Sequence, residues 1–185
     1  MNPFTLPPQK VEMVLLVMLL TAALFDVLYR RIPNWITVTG VVLGLAMNTI
    51  IGPPEAGIVF SLVGLAVAFG VYLALYAVRA MGAGDVKLMA AIGALLGWER
   101  WFGMFFITAL VGGVMALILV VVRGRLKTTL FNVSFILSEM KSGRPAYLGK
   151  EELDVKHEKA LGLPHGAVIA VAAVFYLAVC VRLMK

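Results

Sequence analysis

Apolar residues run along this chain in six blocks separated by short polar interruptions. The blocks are 11–28, 35–51, 56–80, 86–98, 102–122 and 161–183. Most are long enough to cross a bilayer core as a helix, which takes about 20 residues. The pattern predicts an all-α polytopic membrane protein with six transmembrane helices plus a cytosolic amphipathic segment, folded as one domain over 1–185. Ile32-Pro33-Asn34 should break the first two spans apart: Pro33 disfavours helical geometry at Ile32, and Asn34 can cap the helix that follows. Gly52-Pro53-Pro54 reads as a tight turn, and Trp98-Glu99-Arg100-Trp101 as an aromatic turn at an interface.

The fourth block is short. Its 13 residues cover about 20 Å at helical rise, against about 30 Å of hydrocarbon. That shortfall is expected to leave the residue before it, Asp85, either below the cytosolic membrane surface or in a thinned patch of bilayer. Within the polar stretch 123–160, Leu126, Leu130, Val133, Ile136, Leu137 and Met140 recur at helical spacing, which suggests an amphipathic helix lying on the membrane.

Composition agrees with a membrane class. The chain is 62% hydrophobic and 14% charged, with a mean hydropathy of +0.98. A soluble domain of this size could not hide so much apolar surface in one core. The first block reads as a span, not a cleaved export signal, because it lacks a basic start and ends in Asp26 and Arg30-Arg31. The net charge of +6 is explained by orientation, not by nucleic acid, since cytosolic loops are enriched in Lys and Arg. With the amino terminus outside, 12 of the 16 basic residues fall in cytosolic loops. This sidedness puts the end of the first span, Asp26, and the start of the fourth, Asp85, on one cytosolic face of the cell membrane.

Carboxylates beside a hydrocarbon phase are costly, so these two are the candidate chemistry. Paired acids can divide labour, one donating a proton while the other activates water. Gly82 and Gly84 precede Asp85 in Gly82-Ala83-Gly84-Asp85 and would permit close backbone approach and a sharp reversal. Each aspartate also has a purely structural reading: Asp26 can pair with Arg30 one turn on, and Asp85 can cap the fourth span. Helix ends suggest Asp85 as the resting base, at a helix N-terminus, and Asp26 as the resting acid, near a C-terminus. Lys87 reads as a cytosolic anchor, His165 as a helix-entry residue in preference to a ligand, His157 as solvated, and Cys180 as a small apolar helix residue. No residue grouping has metal-ligand spacing, and no cofactor is expected.

Phe25-Asp26 followed by Arg30-Arg31-Ile32-Pro33-Asn34, then Gly82-Ala83-Gly84-Asp85-Val86-Lys87-Leu88, resembles the type IV prepilin peptidases, membrane aspartic proteases of the GxGD kind. The resemblance implies Asp26 and Asp85 as the catalytic pair, with Gly82, Gly84, Lys87, Arg30, Pro33 and Asn34 around the substrate's approach. It implies a prepilin-like substrate whose short, basic, cytosolic leader precedes an apolar helix, and an acidic site suited to that leader. Larger members carry a cytosolic insertion with paired Cys-x-x-Cys motifs linked to N-methylation. Here Arg31 runs almost directly into the second span and those cysteines are absent, so the expectation is a peptidase without methyltransferase activity, similar to the short enzymes of tight-adherence (Flp) pilus systems and to archaeal preflagellin peptidases. Leu163-Pro164-His165-Gly166 resembles the start of the family's last span, where an aromatic often follows the proline.

Two other readings compete. A presenilin-like intramembrane protease would place the partner acid on the helix preceding Gly82-Ala83-Gly84-Asp85, and the third span has none. A carboxylate-relay transporter would put its acids near the midplane between repeats, and no repeat is visible.

Overall fold

A computed structural model describes residues 3–50, 57–78, 80–141 and 164–183. The described residues form six helices: α1 (Gln9–Tyr29), α2 (Asn34–Ile50), α3 (Gly57–Ala77), α4 (Ala83–Val122), α5 (Leu126–Lys141) and α6 (His165–Leu183). Four of them, α1, α3, α4 and α6, are long and apolar enough to cross a membrane, and α2 is a shorter apolar helix. The Gly52-Pro53-Pro54 turn, Arg79, His157 and residues 161–163 lie outside the described residues.

α1 shows how apolar helices with almost no polar face still choose an inside. Val11, Leu15, Met18, Ala22 and Asp26 are buried and fall three or four residues apart, on one stripe. Met13, Val17, Leu20, Leu24 and Leu28 point outward. An outer surface so apolar fits lipid, not water. The helix ends at Arg30, which adopts a left-handed conformation (φ 54°, ψ 31°) and donates its backbone N–H to the Asp26 carbonyl. A side chain other than glycine is uncommon there.

The fourth and fifth apolar blocks form one element, α4, interrupted at Gly97 (φ 73°, ψ 169°). The break therefore falls at Gly97, and Trp98-Glu99-Arg100-Trp101 is helical, which corrects the aromatic turn expected there. On either side of the break the chain packs along α3 in opposite senses. Gly93 lies against Gly64 and Ala68, and Gly97 against Phe60 and Gly64, near the start of α3. Beyond it, Trp101 and Phe105 meet Tyr72, further along α3, and Gly112 lies against Val168 of α6.

The first limb of α4 is the centre of the molecule. Val86 and every residue from Leu88 to Gly97 are buried, under α2, α3 and α6. A helix apolar all round is a buried helix. Enclosed in this way, the limb has no need to match a bilayer's thickness, which is a second physical reason for its shortness. Small residues let the neighbours close on it. A side-chain carbon added at Gly44 would lie 2.8 Å from the Ala94 carbonyl, and one at Gly64 would collide with the Gly93 carbonyl.

Polar atoms stitch the outer end of this limb. Asn48 Nδ2 donates to Ser61 Oγ (2.8 Å), to the Ala94 carbonyl (3.0 Å) and to the Leu95 carbonyl (3.2 Å). Ser61 Oγ in turn donates to the Gly44 carbonyl at 3.1 Å. The break at Gly97 leaves these last carbonyls short of helical donors, and Asn48 supplies one. After Val122, Gly124 (φ 64°) turns the chain out of α4 into α5. On α5, Leu126, Leu130, Phe131 and Val133 are exposed.

Candidate functional site

At the end of the bundle opposite Gly97 a polar cavity of about 360 Å³ is lined by Asp26, Arg30, Arg31, Ile32, Asn34, Gly82, Ala83, Gly84, Asp85 and Lys87. Three separate pieces of chain build it: the end of α1, the link to α2, and the first turn of α4. Of the eight residues that the resemblance assigns to the pair and the substrate's approach, seven are on the wall and Pro33 is not; its carbonyl instead accepts the Ile36 N–H at 3.2 Å and opens α2.

Asp26 reaches the cavity because it continues the buried stripe of α1. It is 9% exposed, and its Oδ2 accepts the backbone N–H of Gly166 at 2.7 Å. Gly166 is the second residue of α6, so Asp26 sits at that helix's N-terminus. The division of roles by helix ends therefore loses its basis, because both aspartates face helix N-termini.

Asp85 is half-buried in the first turn of α4. It is the third helical residue, with Gly82 at the N-cap, so it caps α4 from the third position of a capping box and not as the N-cap that the sequence suggested. Its Oδ2 accepts the Gly82 N–H at 3.1 Å, folding the carboxylate back over the turn. Gly82 (φ −82°) is extended, and Gly84 is not among the positive-φ residues; the glycine that makes the sharp reversal is Gly97. A Cβ at Gly82 would lie 3.2 Å from Asp85 Oδ2, whereas one at Gly84 would make ordinary contact with Ile32 at 3.4 Å.

Lys87 and Asn34 meet across the wall. Lys87 Nζ donates to Asn34 Oδ1 at 2.9 Å. Asn34 is thus the first residue of α2, with its side chain turned to α4, in place of the capping role expected of it. Asp26 and Asp85 are close enough to act on one another electrostatically, and so are His165 and Asp85. His165 opens α6, and it is also within electrostatic reach of Asp85. The cavity is not acidic on balance. Arg30, Arg31 and Lys87 outnumber its two carboxylates, so the expected attraction of a basic leader by the site's own charge is not supplied by this wall. Among the described residues no group of His, Cys, Asp and Glu could hold a metal ion.

Gly166, Arg31, Ile32 and Ala83 also belong to the site; each lies within a motif quoted above, but no signal of its own marks it as a site residue.

Two carboxylates lining one polar cavity form an arrangement that can activate water and donate a proton to the same carbonyl. No curated protein matches the chain, and no solved structure does. The model of the type IV leader peptidase family matches residues 13–117, a stretch that is more than half of the 185 residues and takes in both Asp26 and Asp85. The chain belongs to the type IV leader peptidase family.

Proposed function

We propose that this protein is a membrane aspartic endopeptidase that removes the short basic leader of type IV prepilin-like proteins at the cytosolic membrane face. The observation that carries the reading is the shared cavity: Asp26, 59 positions away from Asp85 in a membrane-type chain, lines the same polar pocket as that residue. In the proposed reaction a water lies between the carboxylates. One takes its proton as the oxygen attacks the scissile carbonyl, and the other gives a proton to the carbonyl oxygen. The tetrahedral intermediate then collapses as the leaving nitrogen is protonated. No metal or cofactor enters this scheme.

Six membrane passes accommodate the chain if the two limbs of α4 count separately, with the amino terminus outside and both acids on the cytosolic side. The substrate's apolar helix would stay in the bilayer, its leader junction reaching the cavity from the membrane edge. The chain would act as a peptidase alone, without methylating the new amino terminus. The acid partner of Asp85 comes from α1, and α3 carries none, so no observation favours the presenilin-like arrangement.

The test is direct. Purified protein in detergent or vesicles is incubated with a prepilin of the tight-adherence type, and loss of the leader is followed by mass. The wild type should release it, and neither Asp26→Asn nor Asp85→Asn should. Cleavage at the wild-type rate by either variant would exclude the dyad.

A further inference from the structure

Asp26 is moored from behind by α6. The two helices run antiparallel and pack together, with Val11, Leu15, Met18, Ala22 and Asp26 forming a buried stripe on α1, and Gly166, Ile169, Ala173, Leu177 and Cys180 one of the buried rows on α6. The last member of one stripe therefore meets the first member of the other. There the Gly166 N–H donates to Asp26 Oδ2 at 2.7 Å. This N–H belongs to the first turn of a helix and has no carbonyl of its own helix to bond. Two residues on, the Val168 N–H donates to the Pro164 carbonyl at 3.2 Å, a bond of the helical ladder.

Space is as restrictive as the hydrogen bond. A side-chain carbon at Gly166 would lie 3.0 Å from Asp26 Cβ, 3.1 Å from its Oδ2 and 3.3 Å from its Cγ. The neighbour that would have to move is the aspartate itself. Few contacts in the bundle single out one functional group in this way. At Gly112, also facing α6, an added carbon would make ordinary contact with Val168 at 3.4 Å.

We propose that Gly166 is the positioning residue for Asp26: its N–H fixes one carboxylate oxygen, and its lack of a side chain leaves the space in which that carboxylate lies. This rests on the reading of Asp26 as half of the reacting pair. Donors that are already aligned hold a reacting group without reorganisation during the reaction. A displacement of the group by a fraction of an ångström acts on the rate, because catalysis depends on alignment to that tolerance.

Two measurements test it. In cleavage assays Gly166→Ala should lower kcat by about tenfold or more, with KM little changed, and Gly112→Ala should match the wild type in both. A glycine needed only for helix packing would instead cost melting temperature and leave kcat of the folded enzyme intact, and that result overturns the proposal. The second measurement needs no substitution at Gly166. His165-Gly166 is the one His-Gly step in the sequence, so labelling histidine carbonyls with ¹³C and glycine nitrogens with ¹⁵N selects this single amide by NMR. In Asp26→Ala its proton should move upfield, and in Asp85→Ala it should stay near its wild-type position. An unmoved resonance in Asp26→Ala removes the hydrogen bond and the proposal with it. If Asp26→Asn and Asp85→Asn both still cleave, the peptidase dyad fails, whereas the amide signal still reports the mooring. If both lose cleavage while Gly166→Ala keeps the wild-type kcat, the positioning role alone fails.

Discussion

The two ends of the first limb of α4 are both interruptions in apolar helix, and they are built on opposite plans. At the Gly97 end Asn48 and Ser61 are neutral, enclosed and matched to one another: Asn48 spends its amide on Ser61 and two carbonyls, and Ser61 passes a bond on to Gly44. At the Asp85 end the groups are charged and line a cavity of about 360 Å³. Both carboxylates have a single oxygen, Oδ2, in the backbone hydrogen bonds described. Enclosed and satisfied polarity specifies packing. Charge retained beside an open space, in a protein otherwise so apolar, is kept at a cost that packing does not explain.

Substitutions that separate stability from rate can break this contrast. The largest effect is expected at the open end. Asp85→Asn and Asp26→Asn should each lower leader cleavage by about 10²-fold to 10⁴-fold, the range for losing a proton-transferring group, with little change in thermal unfolding. Turnover by quenched single-point assay and unfolding by differential scanning fluorimetry would be read on the same preparations. A collapse of the fold in either variant, with turnover per folded molecule preserved, would put the aspartates on the structural side of the contrast.

The enclosed end should behave the other way round. Asn48→Leu removes the side-chain donor from the Ala94 and Leu95 carbonyls and from Ser61 Oγ, and should lower stability by about 1–2 kcal/mol, the upper part of the range measured for hydrogen bonds between membrane helices. Cleavage per folded molecule should stay within about twofold, since the carbonyls that Asn48 meets lie nine and ten residues along the limb from Asp85, about 15 Å at helical rise. Denaturant unfolding in mixed micelles gives the first quantity and active-site titration the second. A large loss of turnover without loss of stability would mean that the two ends are coupled through the limb.

How much of this was legible in the sequence depended on the range of the interaction. Apolar blocks locate helices because each block is its own local signal, and the bounds of α1, α2 and α3 lie within a few residues of those blocks. Asp26 and Asp85 stood out because a charge in such surroundings is rare. Gly97 did not, because it lies among apolar neighbours while four residues after it, Trp98-Glu99-Arg100-Trp101, carry the louder aromatic and charged signal; a helix break needs only one residue in a left-handed conformation. Asn48 and Gly166 were missed for a different reason. Their partners are far along the chain, 46 and 47 residues away for the carbonyls that Asn48 meets, and 140 for Gly166 and Asp26. Nothing in local periodicity marks either one. A polar residue in an apolar block and a glycine at a helix start are, however, the kinds of residue whose partners are worth seeking first.

The smallest expected effect sharpens where the open end stops. Lys87 is exposed and donates to Asn34 Oδ1 at 2.9 Å, tying the first turn of α4 to the first residue of α2 at the edge of the cavity. If this pair only braces the wall, Lys87→Met should keep the aliphatic stem, lose one hydrogen bond worth about 0.5–1.5 kcal/mol, and change kcat by less than about fivefold, since about 1.4 kcal/mol makes a tenfold change in rate. Asn34→Ala should then give the same small loss, and the double variant should be no worse than either single one, because both remove one shared bond. Additive losses in the double variant would show that Lys87 and Asn34 each do something the other does not. A rise in KM confined to Lys87→Met would assign the lysine to substrate binding and move the boundary of the open end outward, past the carboxylates to the surface where the leader arrives.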